Sequence, residues 1–549
     1  MTGIAAPSLQ WKSVPLGSLI TLEYGKGLPL AARRPGPYAV YGSNGIIDRA
    51  NRFLVADSTI VVGRKGSAGE ITLAEPRSWP IDTTYYVCIA NRALSSLEYL
   101  YYLLLSLDLR RLVDTTTKPG LNRDRVYQQV VSLPPLPVQE RIVAILEKAD
   151  EIRRKRQEAL QIADQILPAL FIEMFGDPAT NPKGYRVQTL AECAHIRRGL
   201  SKRPTPSGSV PIVRIKNLTL QGLDLSWHEN VNLTPRELKR GQLEEGDIVF
   251  SPLNGSLDHL AKSDTFHEAP GVTWVLDSNL CAFRARESIV LSPFLASWLS
   301  LPATLDHLRH RLAVRTSGGQ WLLKSSTLAA IELPVPPMSE QQRFAEYVLA
   351  FESVRAKLQA SLRDAETTFN VLLQQAFTGE LTADWEARNA DWIAERQAFY
   401  ERLPQLVLLA FLLEKAQQAR KASVLITALM KYTFLLQMEG STRRRLYSFV
   451  PYHYGPFAQE VYSDLEKLLQ QGLVTIEEDD QKTRINLTAP NKAEQVLQEL
   501  PEELRQDVAA IVETYGSLDH EGLLKVVYER YPAYAKKSRR RRTPTKPTE

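Results

Sequence analysis

Cations beside glycines and side-chain amides recur in both halves of this sequence, and they suit contact with nucleic acid better than catalysis. In the first half, GRKGSAG carries Arg64 and Lys65, and TTTKPGLNRDR carries Lys118, Asn122, Arg123 and Arg125. In the second, RIKN carries Arg214, Lys216 and Asn217, and RHRLAVRTSGGQW carries Arg309, Arg311, Arg315, Ser317 and Gln320. Arginine matches the O6 and N7 acceptors of guanine, asparagine and glutamine match N6 and N7 of adenine, and either cation neutralises phosphate. Taken singly, each loop reads equally well as solvated charge at a turn. Placement favours the nucleic-acid reading: each half has a basic, glycine-containing loop just before the strand that leads into a proline cluster. The pairs Arg33-Arg34 and Arg197-Arg198 fit this pattern less well.

Catalytic signatures are missing from the sequence. It holds no NPPY or DPPF tetrapeptide with a glycine-rich cofactor turn, no P-loop, no HExxH, no GxSxG and no nuclease Asp and Glu-x-Lys set. FSPLNG at Phe250 reads as a strand end and turn. Among eight histidines only His307 and His310 have metal-ligand spacing, on a predicted helix where one such pair is usually incidental. The expectation is a chain with no catalytic residue, no metal and no cofactor of its own.

The stretch that positions these loops occurs twice. It reads LPPLPVQERIVAILEKADEIRRKRQEALQIADQILPALFIEMFGD from Leu133 to Asp177, and LPVPPMSEQQRFAEYVLAFESVRAKLQASLRDAETTFNVLLQQAFTGEL from Leu333 to Leu381. Each copy opens on prolines, passes Gln139 to Arg141 or Gln341 to Arg343, and continues as an uninterrupted helical pattern to a Phe and a Gly. Ile145, Ile152, Ala159 and Ile166 recur every seven residues in the first copy, flanked by Ala149, Ala163 and Leu170. Phe344, Phe351, Leu358, Ala365 and Leu372 do so in the second, flanked by Val348, Leu362, Phe369 and Ala376. A 3.5-residue period held over four or more heptads predicts two long helices packed as a coiled coil. Each would be about 36 residues and roughly 54 Å long. The plainer alternative is two amphipathic helices buried in separate cores. Arg156 and Arg355 interrupt the stripes and read as snorkelling side chains.

The globular pieces repeat as well. WKSVPLGSL (11–19) is echoed by YRVQTLAEC (185–193), DSTIVVGRKGSAG (57–69) by EGDIVFSPLNGSL (245–257), and LEYLYYLLLSLDLRRLV (97–113) by FLASWLSLPATLDHLRHRL (294–312). Short apolar runs between Gly, Pro, Asn and Asp predict mixed α/β domains with curled sheets. The expected layout is a globular domain at 1–134, a rod helix at 135–177, a second globular domain at 178–333 and a second rod helix at 334–385. A helical connector at 386–404, a compact domain at 405–535 and a disordered basic tail at 536–549 complete it.

A length of 549 residues predicts three or four domains. The 44% hydrophobic and 23% charged content is ordinary for globular protein, and a net charge of +5 permits nucleic acid without requiring it. Three unspaced cysteines make neither a disulfide framework nor a zinc site. The start, MTGIAAPSLQWKS, lacks a basic and apolar signal region, and no run reaches 18 apolar residues, so a cytoplasmic protein without membrane contact is expected.

In the last part, LPQLVLLAFLLEKA and SVLITALMKYTFLLQME precede a turn, the helix FAQEVYSDLEKLLQQ, Gly472 and the strands LVTIEE and TRINLT. This is a winged-helix layout. Its recognition-helix candidate sets Glu460, Asp464 and Glu466 against a lone Lys467, and its wing turn is EEDD. Facing phosphate these groups would be repelled, so a protein partner is expected there. Arg443 to Arg445 and Arg539 to Arg542 argue the other way.

As a set, the duplicated proline-cluster, QER or QQR and long-helix units, ending near FGD and FTGEL and alternating with two diverged domains, resemble the specificity subunit of a type I restriction-modification system over residues 11–385. The resemblance implies an α/β fold class, with two mixed α/β target-recognition domains separated by a pair of long antiparallel coiled-coil helices and followed here by a mainly α winged-helix domain. It implies a bipartite, gapped double-stranded DNA target, two methyltransferase subunits and restriction subunits as partners. S-adenosylmethionine, ATP and Mg2+ would belong to those partners. The extension departs from the usual subunit and is similar to Panacea-type winged-helix regions through KYTFLLQ (431–437) and YHYGPF (452–457). Two other readings stay open: the targeting subunit of a combined methylate-and-cut system without a separate motor, and a coiled-coil scaffold for protein partners.

Overall fold

In the computed structural model the described residues are 11–90, 94–114, 120–219, 222–267, 271–418, 423–441, 446–447, 449–452, 455–479 and 482–535. Lys118, Arg443 to Arg445 and the tail 536–549 lie outside them. The helices that frame the domains are α1 (Leu136–Ala163), α2 (Ile166–Phe175), α3 (Met338–Thr378), α4 (Ala390–Gln418), α5 (Ile426–Glu439) and α6 (Glu460–Gln470). The chain forms two compact units, Met1–Asp150 with Thr368–Glu549, and Glu151–Thr367, so α1 and α3 each contribute to both.

The first repeated helical stretch is not continuous, contrary to the expectation from its apolar pattern. It breaks after Ala163 and resumes at Ile166. Pro168 supplies the reason: it has no N–H to offer the Asp164 carbonyl, and its ring crowds that same carbonyl one turn back. The second stretch contains neither proline nor glycine and runs 41 residues unbroken. The heptad line drawn through the first copy also needs correction. Val138, Ile142, Leu146, Leu160 and Ala163 are buried there, Ile145 and Ala159 are half-buried, and Ile152 and Ile166 are 45% and 50% exposed. The buried face of the first two turns steps by four residues because it meets a domain core, as any amphipathic surface helix does. In α3, Phe344, Val348, Leu362, Phe369 and Ala376 are buried, whereas Phe351, Leu358, Ala365 and Leu372 are half-buried.

Both repeated α/β domains are built on one topology. In the first unit β1 (Ile20–Tyr24), β2 (Thr59–Gly63), β3 (Ile71–Ala74) and β4 (Thr84–Ile89) form an antiparallel sheet in the order β1-β4-β2-β3. In the second unit β5 (Ala194–Arg198), β6 (Ile248–Phe250), β7 (Ser263–Thr265) and β8 (Cys281–Ala285) repeat it as β5-β8-β6-β7. The central strands β2 and β6 are buried at every residue, which is why TIVVG and IVF read as unbroken apolar runs rather than alternating ones. A smaller sheet holding one parallel pair accompanies each: Tyr38–Gly42 beside Trp79–Pro80, and Val210–Val213 beside Val275–Leu276. Each domain then closes on itself, Lys12 pairing with Leu133 in one and Arg186 with Val335 in the other.

The Gln of the repeated QER and QQR runs has a structural role. Gln139, 1% exposed, donates its Nε2 to the carbonyls of Leu94 (2.7 Å) and Pro134 (2.9 Å). Gln341, fully buried, donates to Ile289 (3.1 Å) and Pro336 (2.9 Å) and accepts the Leu291 N–H at 2.9 Å. A side-chain amide has both donor and acceptor, so one residue ties the helix start to the loop before the domain's own helix. Gln341→Ala strands these buried groups and is expected to cost about 3 kcal/mol, against less than about 0.5 for the exposed neighbour change Gln342→Ala. Denaturant unfolding of the two variants checks this; equal effects would reject the assigned role.

In the first unit α4 runs through the expected connector and the first core helix as a single element with Pro404 inside it, so no boundary falls at 404. Leu136 N–H donates to Gln397 Oε1 (2.8 Å), the Tyr400 hydroxyl donates to the Glu140 carboxylate (2.7 and 2.8 Å), and Trp11 Nε1 donates to Glu386 Oε2 (3.1 Å). The C-terminal part thus packs on the first α/β domain. Its three-stranded sheet, β9 (Ser423–Leu425), β10 (Val474–Asp479) and β11 (Lys482–Leu487), runs in the order β9-β11-β10. Asp464, expected on an exposed acidic helix face, is instead buried and accepts from the Tyr447 hydroxyl (3.0 Å) and Lys467 Nζ (2.8 Å). Among the described residues no helix is long and apolar enough to cross a membrane.

Candidate nucleic-acid interface

In the first domain three strand ends converge. Tyr24 closes β1 opposite Tyr85 of β4, and Gly63 closes β2 opposite Thr84, so Arg64 emerges beside Tyr24. The Arg64 guanidinium donates Nε (3.2 Å) and Nη2 (2.6 Å) to the Asp82 carbonyl and lies 5.3 Å from the centre of the Tyr24 ring. Arg123 lies at the same 5.3 Å from that ring. Two guanidinium groups therefore stack on one half-exposed tyrosine, a geometry in which the ring's negative face holds each cation while its remaining N–H groups stay available. The Tyr85 phenol beneath, donating to the Leu121 carbonyl at 3.1 Å, is pushed up to about 12, chiefly by burial and next by its hydrogen bond with Tyr24. It stays neutral as a floor for the pair.

The other first-domain candidates divide. Lys65 is exposed and its backbone bridges to Gly120, placing GRKGSAG against the strand Gly120–Leu121. Asn122 accepts the Asp124 N–H at 2.8 Å and caps the short helix Arg123–Tyr127, which fixes where Arg123 starts. Arg125 is paired with Asp114 at 2.7 Å. The glycines of GRKGSAG mostly serve the chain itself: a Cβ on Gly63 would meet the Ser67 carbonyl at 2.1 Å, and one on Gly69 the Arg110 nitrogen at 2.6 Å. Gly66 alone, at φ +71°, faces open space.

In the second domain the strands Val314–Arg315 and Trp321–Leu322 form a hairpin, with Trp321–Leu322 also pairing Leu253–Asn254 of the FSPLNG turn. Ser317 and Gln320 are exposed at its tip, where Gly319 takes φ +78°. Arg315 lies 5.1 Å over the Trp321 ring, and Lys216 lies 5.6 Å over Trp227, repeating the cation-on-aromatic theme. Arg311 is exposed. Arg309 donates Nε to the Leu260 carbonyl at 2.9 Å and lines a cleft of about 510 Å³ shared with Asp264, Glu352 and Arg355, a mixed-charge setting unsuited to phosphate. Glu352 there is held above the usual carboxylate range, mainly by burial.

Two second-domain candidates do not fit base contact. Arg214 is clamped between Glu229 and Asp277, and the Glu229 hydrogen bond is the main reason its guanidinium is held above its ordinary range. Asn217, 2% exposed, gives its amide to the Asp224 (3.0 Å) and Trp227 (2.6 Å) carbonyls and accepts the Arg214 N–H at 2.9 Å, so no edge is left for adenine. Of the weaker pairs, Arg33 is held by Asp48 at 3.3 Å and Arg197 by the fully buried Asp247 at 2.5 Å. The partners Tyr24, Trp227 and Trp321 escaped sequence reasoning. The sole signal was an aromatic beside glycine or a cation, as in Tyr24-Gly25-Lys26-Gly27. Among the described residues no group of three His, Cys, Asp or Glu is placed to hold a metal ion.

Basic hairpins and strand ends thus recur on a twice-used α/β scaffold, and comparison with known proteins says what the chain is similar to. Residues 9–162 match the type I restriction modification DNA specificity domain, and the chain is similar over part of its length to type I restriction enzyme specificity subunits. It is 26% identical over 233 residues to the type I restriction enzyme EcoKI specificity subunit of Escherichia coli (strain K12), covering 42% of this chain and 47% of that one. The chain thus spans about half the length of that relative. Against the type I restriction enzyme EcoDI specificity subunit of Escherichia coli, identity is 21% over 457 residues, covering 76% of this chain and 96% of the other. The crystal structure of the S subunit of a type I restriction-modification system from M. genitalium is 16% identical, covers 67% of this chain and 96% of that one, and has a TM-score of 0.43.

Proposed function

We propose that this chain is the DNA sequence-specificity subunit of a type I restriction-modification complex, reading a bipartite, gapped target and scaffolding methyltransferase and restriction subunits while carrying no catalytic group itself. The observation that supports this most is duplication of the reading end: each of two domains of one topology sets a basic hairpin and aromatic-stacked cations beside the end of its sheet. Arg64, Lys65 and Arg123 serve the first half-site, and Lys216, Arg311, Arg315, Ser317 and Gln320 the second. S-adenosylmethionine, ATP and Mg2+ belong to the partner subunits in this reading. Single-molecule base-modification sequencing of the source genome with and without the gene tests it. A two-part motif that loses methylation on deletion is expected; a motif unaffected by deletion would reject it.

In the same reading α1, its continuation α2, and α3 are the spacer, packed antiparallel as a coiled coil. In the first unit Val138, Ile142 and Leu146 share a core with Phe369 and Ala376, and in the second Phe171 and Phe175 pack on Phe344 at 5.6 and 5.3 Å. Inserting seven residues into each spacer helix adds roughly 10 Å, or about three base pairs, to the unread gap and leaves both half-sites unchanged. Mapping the methylated motif of such a variant checks this, and an unaltered gap would sink the ruler role. The C-terminal domain is read as a winged helix that faces a protein partner, because Glu466, Glu477 and Glu478 remain exposed on its helix and wing.

A further inference from the structure

The two recognition domains can be matched residue by residue at the end of their sheets, and the match brings out a side chain that the basic loops did not. β1 ends at Tyr24 and β5 ends at Arg198, each the last paired residue of its strand, opposite Tyr85 and Cys281 at the start of β4 and β8. The following glycines confirm the register. A Cβ on Gly25 would meet the Ile81 carbonyl at 2.1 Å, and a Cβ on Gly199 the Asp277 carbonyl at 2.1 Å, in both cases just beyond the strand that forms the domain's parallel pair. Neither glycine tolerates a side chain, so the chain turns the same way after Tyr24 and after Arg198. Tyr24 is the residue on which Arg64 and Arg123 stack.

Alternation along β5 separates its two arginines. Arg197 points to the face where fully buried Asp247 holds it at 2.5 Å. Arg198 points to the opposite face, is exposed, and has no carboxylate within ion-pair distance among the described residues. A strand residue on a sheet end is held far more firmly than a loop residue, and an unpaired guanidinium there keeps its full fork of donors.

We infer that Arg198 is a base-contacting, specificity-determining residue of the second half-site, reading guanine O6 and N7 from the sheet-end position that Tyr24 occupies in the first domain. Tyr24 there acts as a positioning residue for Arg64 and Arg123. This rests on the DNA-specificity reading above. The differing residues at one shared position give the two domains different half-sites from one scaffold.

The test uses the full chain assembled with its methyltransferase subunits and duplexes carrying the mapped motif or single-base variants in each half. For Arg198→Ala and Arg198→Lys, discrimination at one or two guanine positions of the second half-site falls tenfold or more, while the first half-site is read as before. Lysine keeps the charge without the fork, so loss of discrimination in both variants identifies base reading. If Arg198→Lys discriminates like wild type, or Arg198→Ala weakens all duplexes alike, Arg198 is a phosphate contact and the inference fails. Tyr24→Leu relaxes only the first half-site; relaxation of both, or of neither, counts against the matched positions. If the wild-type complex itself shows no sequence preference, it is the specificity reading that falls.

Discussion

Lys431→Met is expected to stabilise the first unit by about 3 kcal/mol at pH 6 and to destabilise it by about 1 kcal/mol near pH 10.5, where only the lost hydrogen bonds remain. Lys431 is 1% exposed on α5, with its ammonium donating to the Thr427 carbonyl at 2.9 Å and approaching His520 Nδ1 at 3.5 Å. Burial pulls its pKa down from 10.5 to about 7. Between those values the unfolded chain holds a proton that the folded chain has released, so stability rises with pH from about 7 to 10.5 and is lowest, and flat, below 7. The full difference is on the order of 4–5 kcal/mol, from which the lost hydrogen bonds subtract about 1–2. Methionine matches the length and buries no charge. Denaturant titrations of both proteins at pH 6, 8 and 10 check the claim: the wild type should gain stability across the series relative to the variant. Parallel curves would mean that the amine keeps its charge at no cost inside the fold.

Which features were readable in advance follows from how local their causes are. The repeated glutamines, prolines and terminal phenylalanines were visible because each makes its bond or packing contact close to an element end. Phe175, buried, meets Phe171 edge-on at 4.9 Å, and Phe377, half-buried, lies 5.5 Å from Tyr99, so the helix-end motifs pack on a core in both copies. The strands were legible through apolar runs such as TIVVG, whereas their order in the sheet, set by pairing between distant segments, was not. Arg214 and Asn217 were misread because their partners, Glu229, Asp277 and the Trp227 carbonyl, come from other segments of the fold. Nothing in RIKN marks them as occupied. The heptad line in α1 went astray for a related reason: a repeat of seven marks a seam whose whole partner is another helix, and Val138, Ile142 and Leu146 share their core with domain residues such as Tyr99 and Leu103 as well as with Phe369 and Ala376 of α3. Pro168 was in plain sight and outweighed the apolar pattern around it.

Asp247→Ala should remove about 3–4 kcal/mol from the second unit. Asp247 is completely buried and is the meeting point of four donors: Arg197 Nη2 at 2.5 Å, Arg284 Nε at 2.7 Å, Arg284 Nη2 at 2.8 Å and the Glu244 N–H at 2.9 Å. Its hydrogen bonds are the main cause holding the Arg284 guanidinium above its ordinary range, and Glu244 adds a second carboxylate to that arginine at 2.5 Å. Removing the carboxylate leaves two arginines, 27% and 31% exposed, facing each other with one partner fewer, which costs more than the lost attraction alone. Since the arginines retain some solvent, the loss sits at the lower end of the range for buried pairs. Glu75→Gln gives the contrast: the Arg49–Glu75 pair is half exposed on both sides, and breaking it should change stability by less than about 0.5 kcal/mol. Denaturant unfolding at low and high salt distinguishes them, with Asp247→Ala costly at both ionic strengths because the site is shielded from ions. A cost no larger than that of Glu75→Gln would show that the arginines find other partners. The same variant bears on recognition. Asp247 fixes Arg197 on one face of β5, and strand alternation then fixes Arg198 on the other, so loosening the first arginine loosens the aim of the second.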